Sequence, residues 1–113
     1  MLPLWFKAFF VSDLSAAGPY YNDNMPSIDI VISNKLGLHA RAAAKLTQVA
    51  GRFKSEIYIA RAGQRVNAKS IMGVMMLAAG LGITVTVDAE GEDAAEALEA
   101  IERLFENKFG EAE

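Results

Sequence analysis

His39 is the only histidine of the chain, and it stands in the run GLHARAAAKL at positions 37–46, between a glycine turn and an alanine-rich stretch. An unprotonated imidazole is one of few side chains that accept and return a phosphoryl group near pH 7. The spacing puts this ring at the first turn of a helix, where the leading backbone N–H groups lack intrahelical acceptors and carry the positive end of the helix dipole. Ala40 and Arg41 bring those N–H groups toward phosphate oxygens, and the Arg41 guanidinium adds a fixed positive charge beside them. Such a site must be balanced: the ring attacks through a free nitrogen, yet the product has to stay reactive enough to be passed on. The residues alone leave open which ring nitrogen reacts. A solitary histidine is commonly an ordinary surface or packing residue, but a strand-to-helix turn followed by small residues is where a rigid scaffold presents reactive groups.

A second segment, NAKSIMGVMML at positions 67–77, places Ser70 ahead of a short apolar run. Serine is a common helix N-cap, because its hydroxyl accepts from an orphan backbone N–H. The helix that follows is apolar on three sides and too short to bury them all, so some of Ile71, Met72, Met75 and Met76 must face outward. Methionine adapts to differently shaped partners. Arg41, Lys45 and Arg52 add positive charge suited to acidic partners.

The elements that position these groups follow from periodicity. Residues 27–33 alternate Ile28, Ile30 and Ile32 with Asp29, Val31 and Ser33, the pattern of a strand with one buried face. A turn over 34–37 leads into a helix predicted over 40–53, with Ala42, Leu46, Val49, Ala50 and Phe53 on one stripe and Gly51 near its end. Residues 56–61 and 64–67 read as strands around an Ala62-Gly63 hairpin turn. Ser70 starts the short helix, and a last strand over 83–88 follows the Gly80-Leu81-Gly82 break. An amphipathic helix over 92–109 closes the order, with Ala94, Ala97, Leu98, Ile101, Leu104 and Phe105 on its apolar stripe. The sequence β-α-β-β-α-β-α implies a two-layer α+β sandwich.

At 113 residues, 52% of them hydrophobic, the chain has material for one modest core. A net charge of −3 without a basic block argues against nucleic-acid binding. With no cysteine, disulfides and thiolate chemistry are excluded; with one histidine besides, no metal site is expected. The composition is compatible with a reducing cytoplasm. Residues 1–24 differ in character: Lys7 splits their apolar run, no basic segment precedes it, and the run falls well short of the roughly 20 residues that span a bilayer. They read as an N-terminal extension, either poorly ordered or the product of a start assigned too far upstream, with the folded domain over 25–113. No membrane insertion is expected.

The run over 37–46 closely resembles the active-site segment of the HPr family, the histidine-containing phosphocarriers of the bacterial phosphoenolpyruvate-dependent phosphotransferase system. The run over 67–77 resembles that family's regulatory-serine segment, at a family-like separation, and the resemblance extends from about Met25 to the last residue. One departure is Ala42, where many members carry proline. Proline presets φ and removes an N–H that is unpaired there anyway, so alanine loosens the turn without removing a reacting group. The resemblance implies an open-faced β-sandwich, an antiparallel sheet with its helices on one face. It implies phosphorylation of His39 at Nδ1 by enzyme I, and delivery to an enzyme IIA domain. It implies phosphorylation of Ser70 by an HPr kinase/phosphorylase, and docking through Ile71, Met72, Met75 and Lys45, with Val74 and Leu77 facing the core. It also implies a cytoplasmic monomer without a cofactor, which carries phosphate between enzymes instead of turning over a substrate.

Two other classes compete. An acylphosphatase-type hydrolase also combines a small α+β fold with a phosphate-holding loop, but the arginine-bearing glycine loop of such enzymes is not found here. A purely regulatory binding domain of HPr fold would have no use for His39, which this chain retains. Sugar-transport and nitrogen-related branches of the family are not separated by these residues.

Overall fold

The computed structural model describes residues 26–113, so the expectations for residues 1–24 lie outside the described residues. Four strands, β1 (Ser27–Val31), β2 (Glu56–Arg61), β3 (Gln64–Asn67) and β4 (Thr84–Glu90), form one sheet in the order β1-β4-β2-β3. Every pairing is antiparallel, with Ile30 opposite Val85, Ile59 opposite Val87 and Ile59 opposite Val66 on its other side. The helices are α1 (Ala40–Ala50), α2 (Ile71–Met76) and α3 (Ala94–Glu106), followed by a single 3-10 turn at Lys108–Gly110. This is the two-layer α+β sandwich expected from the element order, in the open-faced antiparallel form that the resemblance implies.

The period-2 pattern explains which face is covered. Ile28, Ile30, Ile57, Ile59, Val85, Val87 and Ala89 are buried on one side of the sheet. Against them lie Ala42, Ala43, Leu46 and Ala50 of α1 and Ala97, Leu98, Ile101 and Phe105 of α3, all buried. The opposite face is polar. Arg65 pairs with Asp88 at 2.6 Å while its guanidinium lies 3.8 Å over the Tyr58 ring, and the Thr86 hydroxyl donates to Asp29 at 2.7 Å.

Several boundaries differ from the periodicity reading. Helix α1 ends at Ala50, short of Phe53, because its bonds tighten from Gly51 N–H to the Thr47 carbonyl into Arg52 to Val49 and Phe53 to Ala50, a 3-10 close. Strand β1 stops at Val31, although Ile32 stays buried and exchanges bonds with Ile83 and Gly82. Strand β4 starts at Thr84 and runs two residues past Asp88, since Ile57 and Glu56 of β2 still pair with Ala89 and Glu90. Helix α3 begins at Ala94 and ends at Glu106, so neither 92–93 nor 107–109 belongs to it. Asp93 does not cap its own helix with its side chain. Its carboxylate accepts from the Lys54 and Ser55 amides at 2.9 and 3.0 Å and from the Ser55 hydroxyl. The Ser55 hydroxyl above all, then the Lys54 amide, hold it below the usual carboxylate range.

The end of α3 is more unusual. Lys108 and Phe109 both take positive φ, 55° and 57°, a region that costs a side-chain-bearing residue roughly 1–2 kcal/mol each. Two contacts offset that strain. Phe109 is buried and meets Phe105 edge to face with ring centroids 4.8 Å apart, and the Lys45 ammonium donates to the Phe109 carbonyl at 2.6 Å. The kink turns residues 110–113 away from the axis of α3.

Among the described residues the buried side chains named above form one cluster, so a protein beginning at Met25 should unfold in one cooperative transition. Circular dichroism melts of the shortened and full chains check this; loss of cooperativity on shortening would show that the core needs residues 1–24.

Candidate functional site

The site is built on the turn between β1 and α1. Asn34, fully buried, holds this turn twice: its carbonyl accepts from the Gly37 amide at 3.2 Å, and its side-chain Nδ2 donates to the Gly37 carbonyl at 2.9 Å. Gly37 has φ +66°, and a Cβ there would stand 2.6 Å from both the Ala79 carbonyl oxygen and Gly80 Cα. Only glycine permits that approach. Next along the chain, the Leu38 amide donates to the Ala79 carbonyl at 2.9 Å, and the Leu38 side chain is buried. The loop before His39 is thereby fastened to the loop that follows α2.

His39 occupies the N-cap position of α1 in an extended conformation, and its side chain makes no capping bond. The first intrahelical bond runs from the Ala43 amide to the His39 carbonyl at 2.8 Å. The amides of Ala40, Arg41 and Ala42 precede it, so α1 presents its orphan donors beside the imidazole. Arg41 is exposed and lines the same open recess as His39, together with Lys35, Leu36 and residues 111–113. The recess measures roughly 610 Å³.

A carboxylate absent from the sequence reading completes the site. Glu111 Oε2 lies 2.5 Å from His39 Nε2, and Glu111 Oε1 accepts from Asn34 Nδ2 at 3.1 Å. Both Nδ2 protons of Asn34 are therefore used, one on Gly37 and one on Glu111. A flipped amide would set an oxygen against two oxygens, so the contacts fix its orientation. The His39 bond first, and the Asn34 bond second, hold the Glu111 carboxyl below its ordinary 4.5. Such a group stabilises the fold fully above its unfolded value, and this contribution disappears as pH falls through the lowered folded value. Since a carboxylate only accepts, Nε2 carries the proton of this bond, and in the neutral ring the free lone pair is then on Nδ1. Glu113 adds a second tie, its side chain 3.3 Å from the Lys35 ammonium and its carbonyl accepting from the Lys35 amide at 3.1 Å.

Ser70 is an N-cap: its Oγ accepts from the Gly73 amide at 3.1 Å. Val74 and Leu77 are buried, whereas Ile71, Met72, Met75 and Met76 are exposed, Met72 most of all at 74%. Met76 is exposed on the same helix beyond the three residues anticipated, and Leu81 is exposed in the loop that follows. Arg61 donates to the Leu77 and Ala78 carbonyls at 2.9 and 3.3 Å, closing the C-terminal end of α2. Lys45, anticipated as a docking residue, has its ammonium on the Phe109 carbonyl and is half-buried. Asn34 and Glu111 were missed because each depends on contacts across more than 70 residues; an acid after Phe109-Gly110 carries no local signal. Among the described residues there is no cluster of three or more metal-ligating side chains, and no helix is long and apolar enough to cross a membrane.

Comparison with known proteins adds an independent line. A family model described as the PTS HPr component phosphorylation site matches residues 26–107. The phosphocarrier protein HPr of Cupriavidus necator is 60% identical over 85 residues, spanning 75% of this chain and 96% of that protein. The HPr of Pseudomonas aeruginosa is 51% identical over 90 residues, 79% of this chain and all of that protein. Among solved structures, HPr-C-His from Thermoanaerobacter tengcongensis superposes with a TM-score of 0.75 at 47% identity, covering 77% of this chain and 98% of its own.

The Gly37 contact makes a graded prediction. Gly37→Ala should lower unfolding free energy by about 3 kcal/mol, because left-handed backbone strain adds to overlap with Ala79 and Gly80. Gly63→Ala, also at positive φ but with nothing near its Cβ, should cost only about 1 kcal/mol. Urea titration of both variants measures the difference; equal losses would refute the close approach.

Proposed function

The chain belongs to the HPr family of phosphocarrier proteins of the phosphotransferase system, and from that premise we propose that His39 accepts a phosphoryl group from the phosphohistidine of enzyme I and passes it to an enzyme IIA domain. Phosphoenolpyruvate charges enzyme I in this reading. The observation that carries it is the occupation of His39 Nε2 by Glu111, which leaves Nδ1 as the attacking atom beside the orphan amides of α1.

The chemistry is a displacement at phosphorus. The Nδ1 lone pair forms the new N–P bond as the donor's N–P bond breaks, and the electron pair of the broken bond returns to the donor imidazole. In such transfers charge is spread over the three phosphoryl oxygens while little covalent work falls to the protein, so positioning and electrostatics dominate. The amides of Ala40 and Arg41 and the Arg41 guanidinium supply donors for those oxygens. Delivery to the acceptor runs the same step in reverse. Arg41 being exposed, its loss should be felt in transfer and hardly in folding.

Docking falls to the apolar face of α2, where Ile71, Met72 and Met75 stand exposed next to the loop that carries His39. Phosphorylation of Ser70 by an HPr kinase/phosphorylase would add charge at the edge of that face. A phosphate at a helix start suits the dipole, so it would deter a partner while leaving the helix in place. The protein acts as a monomer in the cytoplasm in this reading, with both the His39 loop and the α2 face open to larger partners. Sugar uptake is the process it would serve.

With enzyme I and phosphoenolpyruvate, one phosphate should appear on the parent protein and none on His39→Ala, as read by intact-protein mass spectrometry. Arg41→Ala should take up phosphate more slowly with its thermal transition nearly unmoved, since exposed substitutions usually change stability by no more than about 0.5 kcal/mol. Label on another residue would remove His39 from its role.

The α2 face has a separate check. Ser70→Asp keeps a cap acceptor but adds charge beside Ile71 and Met72, so enzyme I should bind more weakly at unchanged stability, with salt relieving part of the defect. Met72→Ala should weaken binding without that salt response. Calorimetric titration at two salt concentrations measures both, and parental affinity in both variants would move the docking surface elsewhere.

A further inference from the structure

Residues 111–113 lie beyond the stretch that matches the family model, which ends at 107, yet they close over the reacting histidine. Glu111 is tied to His39 Nε2 at 2.5 Å and to the buried Asn34 at 3.1 Å, with the His39 side chain 29% and the Glu111 side chain 13% exposed. The ring edge at Nε2 is covered, while part of the side chain stays open on the recess. The remaining charged groups around the recess are Arg41 on α1, Lys35 in the preceding turn, and Glu113, which Lys35 engages.

We infer that Glu111 is a positioning residue for phosphoryl transfer, a carboxylate that fixes the His39 ring in its Nε2–H form and stabilises the positive charge the ring gains as the N–P bond forms at Nδ1. This rests on the phosphocarrier reading given above and adds to it a residue that the family match does not contain. When Nδ1 donates its lone pair to phosphorus, the ring becomes cationic with its proton still on Nε2. A carboxylate on that proton stabilises the cation, as an aspartate does for the histidine of a hydrolytic triad. The proton stays on Nε2 throughout; no further reactant is needed. In the delivery direction the same proton keeps the leaving ring neutral once the N–P bond breaks. Glu111 thus assists both directions.

Asn34 and the Phe109 kink hold Glu111 in place. Asn34 fixes one carboxylate oxygen and leaves the other for the ring. Phe109, buried two residues earlier, anchors the segment to the core, and the Lys45 bond secures its carbonyl.

The test uses the full chain with enzyme I and phosphoenolpyruvate. Glu111→Gln keeps an acceptor for Nε2–H but cannot neutralise the ring's charge; Glu111→Ala removes both functions. At saturating enzyme I, the transfer rate of Glu111→Gln should fall roughly tenfold with the KM for enzyme I unchanged, the size of one charge-assisted hydrogen bond. Glu111→Ala should be slower still. In Glu111→Ala, nitrogen-15 spectra of the ring should also show a rise in the Nδ1–H tautomer of His39 relative to the parent, a readout independent of any transfer. Parental rates in both variants, or a loss confined to KM, would overturn the inference while leaving His39 as the carrier. Failure of the parent itself to take phosphate on His39 would instead overturn the phosphocarrier reading, and the spectra would still report whether Glu111 sets the tautomer.

Discussion

The close passage of the Gly37 backbone against Ala79 and Gly80 is the constraint from which the arrangement of both functional segments follows. It is reinforced by the bond from the Leu38 amide to the Ala79 carbonyl at 2.9 Å and by the exchange between Ile32 and residues 82 and 83. The seam extends the pairing of β1 with β4 past the last ladder residues and into the loops. Because one side of it leads into His39 and the other trails from α2, the reacting ring and the apolar helix share a rigid reference. Backbone bonds of this kind, anchored by the buried Ile32, Leu38 and Ala79, transmit position with little slack. A partner that lands on α2 therefore meets His39 at a fixed distance.

The second theme is electrostatic balance within a small volume. Orphan amides and Arg41 attract anionic oxygens, whereas Glu111 puts a carboxylate on the far edge of the same ring. In the proposed transfer the two are not in conflict, since they act on different atoms: the donors on phosphate, the carboxylate on the ring cation. A site made only of donors would bind phosphate too firmly for a carrier. The Glu111 carboxyl is held below the usual carboxylate range, the His39 bond being the principal cause, so this opposition persists to lower pH than a free glutamate would allow.

Most of this architecture is legible in the sequence. The isoleucine alternation of β1, the Ala62-Gly63 hairpin and the stripe on α3 are local signals, and each corresponds to an observed element. The serine before Ile71 announced its cap, and the single histidine two residues before Arg41 marked the turn on which the candidate site is built. The failures are of two kinds. Boundaries shifted where tertiary pairing overrode pattern, as when β2 drew β4 on to Glu90, or where a helix tightened early, as at Ala50. Asn34 and Glu111 escaped notice because their significance lies in contacts between opposite ends of the domain. The bond from the Lys45 ammonium to a backbone carbonyl 64 residues away was equally out of reach of local pattern.

The kink at Lys108 and Phe109 carries a consequence for how such a site can change over time. Phe109 is a fixed point in the core, and Glu111 is suspended from it by a two-residue span, so the carboxylate's location is a matter of chain length as much as of residue type. One residue inserted between them would displace the carboxylate by up to about 3.5 Å, beyond hydrogen-bond reach of the ring. The same insertion after Glu113 would leave the span untouched. Variation in the length of this short tether, more than variation among the helices and strands, is the economical route by which relatives with an otherwise identical scaffold could gain or lose the partner of their histidine.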